Sequence, residues 1–220
     1  MIPLRDDNPS SSRPVVTVLL ILTCIVVFLY VSYGLGSEAA TERVFSTYGA
    51  TPAALMAPPN LLAKAPTLVT SLFLHGGWLH LIGNMWFLWI FGDNVEDRMG
   101  HGGFAAFYLM AGVAASATHV LVNQTSTNPL IGASGAIAGV LGAYTVLFPR
   151  ARIVSLLPLG LFTRLIAIPA VLFLPLWFLM QFVSGLASLA SAGTGVAWWA
   201  HVGGFIAGIV LVPIFARRRQ

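Results

Sequence analysis

The four longest stretches of this 220-residue chain without a charged residue are Pro14–Ser37, Ala65–Gly92, Gly102–Pro149 and Leu165–Ala216. With 8% charged and 57% hydrophobic residues overall, the chain has too little charge to cover a soluble surface. A bilayer crossing takes about 20 apolar residues, so each long stretch holds two helices and each shorter one holds one. The expectation is an all-α, polytopic membrane protein with six transmembrane helices.

The spans read as Val15–Leu35, Gly77–Asp93, Gly102–Val122, Ala133–Phe148, Leu165–Ser188 and Val196–Phe215. Asp93, Glu96, Asp97 and Arg98 read as a charged turn after the second, and "SAGTG" (Ser191–Gly195) separates the last two. This divides the chain into an N-terminal segment 1–14, a membrane domain 15–216 and a basic tail 217–220. The first run follows Arg5 and Arg13 as a signal peptide would. Its length exceeds the usual apolar core of about 7–15 residues, so it reads as a retained helix. In the loop that follows, "LMAPPNLL" (Leu55–Leu62) is too short to span and suits a semi-buried position in the interface. Cys24 is the single cysteine, which excludes an intrachain disulfide.

Charge placement orients the bundle. With six spans both termini share one side, and that side collects Arg5, Arg13, Arg98, Arg150, Arg152, Arg164 and Arg217–Arg219. Arg43 and Lys64 fall on the other. This positive-inside asymmetry places both termini in the cytoplasm, and the location expected is a bacterial inner membrane. It also accounts for the pI near 9.7 without a nucleic-acid partner.

Polar groups inside apolar spans are costly, and function is their default explanation. His75, His80 and Asn84 lie around span two, His119 in span three, Ser134 in span four, Gln181 in span five and His201 in span six. A membrane serine by itself ordinarily bonds back to its own helix or joins two helices. Ser134, however, lies 16 residues before Arg150, and His201 lies 16 before Arg217. Both groups therefore sit roughly 24 Å above the cytoplasmic arginines, at one depth below the outer surface. His80, 13 residues above Asp93, reaches nearly the same level. Gly135/Gly139 and Gly204/Gly208 are small-xxx-small pairs that let spans four and six approach closely.

The chemistry then assigns roles. His201 is the candidate base for a Ser134 nucleophile, and with no Asp or Glu in any span the pair is a dyad. The orientation of the imidazole is left to packing or to a neutral hydrogen bond. An oxyanion would find donors in the backbone N–H of Ser134, near a helix N-terminus, and in His80 and Asn84, one turn apart on one face.

At these residues the sequence resembles the rhomboid family of intramembrane serine proteases. "HGGWLHLIGN" (His75–Asn84), "GASG" (Gly132–Gly135) and "HVGGFIAG" (His201–Gly208) occur in family order across the six-span core. The resemblance implies a rhomboid-like bundle that cleaves transmembrane protein substrates within the lipid bilayer. It implies Ser134 as nucleophile, His201 as general base, and His80, Asn84 and the Ser134 N–H as the oxyanion hole. Gly132 and Gly135 would support the tight approach to the serine. His75 matches a recurrent family histidine, as apt to brace the first loop as to take part in catalysis. Two departures stand out: the first outer loop lacks the Trp-Arg pair of many members, and Ala138 replaces an aromatic that packs under the catalytic histidine.

An inactive, helix-binding relative is the nearest rival, though such proteins typically lack the serine or the histidine. A transporter would show polar residues through both halves of the membrane. A zinc site built from His75, His80 and His201 would want a carboxylate base and an H-E-x-x-H motif, so no metal or cofactor is expected. No feature of the sequence specifies an oligomeric state.

Overall fold

The computed structural model describes residues 1–57, 61–159, 162–189 and 196–217. A short strand β1 (Ile2–Asp6) leads to helix α1 (Val15–Leu29), which continues through a wider π-type turn to Gly34. Four short helices follow: α2 (Glu38–Tyr48), α3 (Pro52–Met56), α4 (Leu61–Lys64) and α5 (Thr67–Thr70). The rest comprises α6 (Trp78–Met99), α7 (His101–Val122), α8 (Ser134–Leu147), strands β2 (Arg152–Leu159) and β3 (Phe162–Pro169), α9 (Ala170–Ser188) and α10 (Trp198–Phe215).

A helix stands at each of the six expected places, but four are long and apolar enough to cross a membrane: Val15–Gly34, α7, α9 and α10. The other two fall short for different reasons. Helix α6 is long enough, but His80, Asn84 and the acidic residues near its end lower its hydropathy. Helix α8 has 14 residues, about 21 Å, less than the hydrocarbon thickness. Every residue from Gly135 to Tyr144 is buried, so α8 is the central helix of the bundle and meets protein instead of lipid.

The all-α expectation needs correction. Strands β1, β2 and β3 form an antiparallel sheet in that order, and the fifth long helix begins at Ala170, not Leu165. An apolar run does not by itself distinguish strand from helix. Here "RIVSLLPL" and "FTRLIAIP" are rich in β-branched residues and pair as a hairpin from Arg152↔Pro169 to Leu159↔Phe162. Pro169 holds back the helix, since the residue before a proline, here Ile168, disfavours the helical conformation and stays extended.

The charged turn expected after span two is also corrected. Asp93–Arg98 lies within the last turns of α6, where one carboxylate caps another helix and a second holds the segment before it. Glu96, fully buried, accepts bonds from the backbone N–H of Val16 and of Thr17, each at 2.8 Å, and from the Thr17 hydroxyl at 2.7 Å. Asp97 accepts from the Ser11 hydroxyl and the Ser12 N–H. Pro14, at the helix boundary, makes no side-chain cap, so α6 supplies the negative charge that the N-terminus of α1 attracts. His101 opens α7 with Nδ1 2.6 Å from Glu96 Oε1.

Both ends of the chain come to one end of the bundle. The Asp7 N–H bonds the Arg152 carbonyl and the Arg217 N–H bonds the Arg98 carbonyl. At the opposite end Leu55 of α3 is buried with Val120 of α7, whereas Leu61 and Leu62 are exposed. Residues 58–60 of the expected interfacial stretch, the 191–195 break and 218–220 of the tail lie outside the described residues. Leu19, Val26, Leu172 and Ile214 face outward, an apolar exterior suited to lipid contact.

Small residues draw α7, α8 and α10 together. A Cβ on Gly135 would stand 2.7 Å from the Ala115 Cβ, and one on Gly139 would stand 2.6 Å from that of Ala111. On the other side, a Cβ on Gly204 would overlap the Gly135 carbonyl, and one on Gly208 that of Gly139. This backbone contact brings the starts of α8 and α10 side by side.

Candidate active site

Three helix starts converge at the end of the bundle away from the chain termini: His80 lies in the first turn of α6, Ser134 opens α8, and His201 lies in the first turn of α10. Gly132 makes the entry to α8 possible. Its φ of 122° suits glycine alone, and its N–H bonds the Ser71 carbonyl at 2.9 Å. A Cβ there would stand 2.6 Å from His80 Nε2, so the side chain that glycine lacks would push into the imidazole.

Ser134 Oγ lies 2.9 Å from His201 Nε2. On the far side of the ring, His201 Nδ1 lies 2.7 Å from Gln181 Oε1 on α9. Trp177, one turn before Gln181, tilts against the imidazole with ring centroids 6.0 Å apart, and Trp198 approaches edge-on at 6.2 Å. Ala138 is fully buried one turn after the serine.

Ser134 and His201 border a cavity of about 1040 Å³ that His80, Asn84, Trp177 and Gln181 also line. Asn84 is buried, and its Nδ2 has no hydrogen-bond partner. An unsatisfied buried amide costs about 1–3 kcal/mol, and among the described residues this is the unpaired buried side chain that lines the cavity. The first backbone bond of α8 runs from the Ile137 N–H to the Ala133 carbonyl, leaving the Ser134 N–H without an acceptor in its own helix. His75 is buried outside this cavity, edge-on to His80 with centroids 5.1 Å apart, and so braces that ring. His119 lines the cavity too. Among the described residues no three His, Cys, Asp or Glu side chains gather as a metal-binding group.

The sequence pattern of the Rhomboid domain matches residues 63–218, a stretch that includes His75–Asn84, Ser134 and His201. The chain belongs to the rhomboid family. Among its relatives, Rhomboid-like protein 11, chloroplastic, of Arabidopsis thaliana is 33% identical over 156 residues, covering 68% of this chain and 52% of the relative. Presenilin-associated rhomboid-like protein, mitochondrial, of Homo sapiens is 30% identical over 161 residues, 69% of this chain and 38% of the relative. Rhomboid protein 1, mitochondrial, of Saccharomyces cerevisiae is 35% identical over 91 residues, 40% of this chain and 26% of the relative. This rhomboid thus spans between about a quarter and about half of the length of these relatives. Their names state organellar locations, which lend no support to a bacterial inner membrane.

Gln181 touches the candidate base, yet from the sequence alone it has no role. Its signal was present: it is a polar side chain in an otherwise apolar helix, one turn from Trp177 on the same face.

Proposed function

We propose that this rhomboid is an intramembrane serine endopeptidase acting through a Ser134–His201 dyad. The observation that carries the reading is the 2.9 Å approach of His201 Nε2 to Ser134 Oγ, within the range a nucleophile and its base require. As Oγ attacks the scissile carbonyl carbon, Nε2 takes the hydroxyl proton. The oxyanion that forms is held by the Ser134 N–H, the Asn84 amide and the His80 ring. Collapse breaks the C–N bond, and His201 returns its proton to the leaving amine. Water then attacks the acyl-enzyme, giving its proton to Nε2, which returns it to Ser134 Oγ as the C–O bond breaks and the new carboxyl end departs.

On this reading α6 and α8 complete six crossings, and the end that gathers the chain termini faces the cytoplasm or its equivalent across an organellar membrane. The substrate is a single transmembrane segment entering near the outer ends of α6, α8 and α10. A helix conceals its carbonyls in i to i−4 bonds, so the segment must unwind before attack, which Gly or Pro near its outer end makes easier. The small residues around Ser134 favour Ala, Gly or Ser before the cut. Mass spectrometry of fragments from a single-span substrate tests this. A cut in the outer third is expected, slowed when nearby Gly or Pro becomes Leu; a cut in the cytoplasmic half would contradict it.

A further inference from the structure

We infer that α9, not the serine helix, positions the base of this rhomboid: Gln181 sets the tautomer of His201, and Trp177 packs against its ring. The inference rests on the proposed protease reading. It starts from Ala138, which leaves no aromatic on α8 to support the imidazole. Trp177 and Gln181, one turn apart on α9, both reach His201 instead.

The tautomer follows from valence. A neutral imidazole has one N–H, and an amide oxygen only accepts. With Gln181 Oε1 2.7 Å away, the proton belongs on Nδ1, because the other tautomer would set two lone pairs against each other. Nε2 is then bare and faces the Ser134 hydroxyl as an acceptor, the form a general base needs. When Nε2 takes the proton, the amide dipole continues to accept from Nδ1–H and steadies the imidazolium. A carboxylate would do this more strongly, but it would bring a full charge into an apolar helix, at a cost that an amide avoids. Gln181 is buried, so the bond to His201 also satisfies a polar group that would otherwise be unpaired. It is a positioning residue: it does not touch the scissile bond, and it acts through His201.

The test uses the full chain in detergent with a single-span substrate, first establishing that wild type cleaves and Ser134→Ala does not. Failure at that step would defeat the protease reading itself. Gln181→Met keeps the length and removes the acceptor; kcat should fall at least about tenfold with KM little changed. The loss should stay below the ~10⁴ that the wrong tautomer costs a Ser-His-Asp triad. Gln181→Glu should recover activity and move the acid limb of kcat/KM upward by about one pH unit, because a carboxylate favours the imidazolium. A side chain at position 181 that did not touch His201 would leave that limb unmoved. A folded Gln181→Met protein with wild-type kcat, or an unshifted limb in Gln181→Glu, would overturn the inference. Nitrogen NMR of histidine-labelled wild type needs no variant: Nδ1 should carry the proton at neutral pH, and protonated Nε2 with bare Nδ1 would overturn it.

Discussion

Gly208 packs against Gly139 so closely that a Cβ on Gly208 would overlap the Gly139 carbonyl oxygen. Backbone, unlike a flexible side chain, cannot move aside, so Gly208→Ala must separate α10 from α8. Overpacking of this kind costs about 1–3 kcal/mol. Because the same helices carry His201 and Ser134, thermal stability in detergent and cleavage should fall together. Ile206→Ala, at an exposed position on α10, should change neither. A wild-type melting temperature and activity for Gly208→Ala would show that the helices do not need this contact.

Asn84 offers a different signature. Its Nδ2 is buried and unpaired, as expected of a donor that finds its acceptor when an oxyanion forms. Asn84→Ala should reduce turnover by roughly 10²–10³-fold, with His80 and the Ser134 N–H still holding the charge. Melting temperature should drop little, since no hydrogen bond of the resting protein is lost. Unchanged turnover would remove Asn84 from the site.

At the end of the bundle that holds the sheet, stability should depend on pH. Burial raises the pKa of Asp6 to about 6; the bond from the Tyr144 hydroxyl works in the opposite sense, and nearby Asp93 raises it further. The folded protein therefore binds a proton here that the unfolded chain releases nearer the ordinary value of 3.8. Stability from this group is complete below about pH 4 and is lost as pH rises through about 6. Melting curves at pH 4.5 and 7 should show a decline in wild type that Asp6→Asn diminishes. Identical pH dependence in the two proteins would count against a raised pKa for the half-buried Asp6.

The site was more legible in the sequence than the fold around it. Counting residues from Arg150 and Arg217 put Ser134 and His201 at one depth, because helix rise is regular and arginines mark the membrane boundary. The glycine pairs announced the α8–α10 contact, since few other residues let backbones meet. The β2–β3 hairpin stayed hidden because Leu165–Pro169 is as apolar as the helix it precedes. Glu96 read as part of a charged turn, for nothing local links it to Val16 and Thr17, 80 and 79 residues earlier. Gln181 was visible as an oddity, but its partner became clear when α9 folded over His201.

The most direct test of the proposed chemistry is labelling by a fluorophosphonate, which reacts with a hydroxyl only when a base activates it. The purified wild-type protein should be labelled, and peptide mapping should place the adduct on Ser134. Ser134→Ala and His201→Ala should both be unreactive while melting near the wild-type temperature, and the double variant should cleave substrate no worse than either single one. Labelling that persists in folded Ser134→Ala protein, or that maps to another residue, would contradict a serine mechanism at this site.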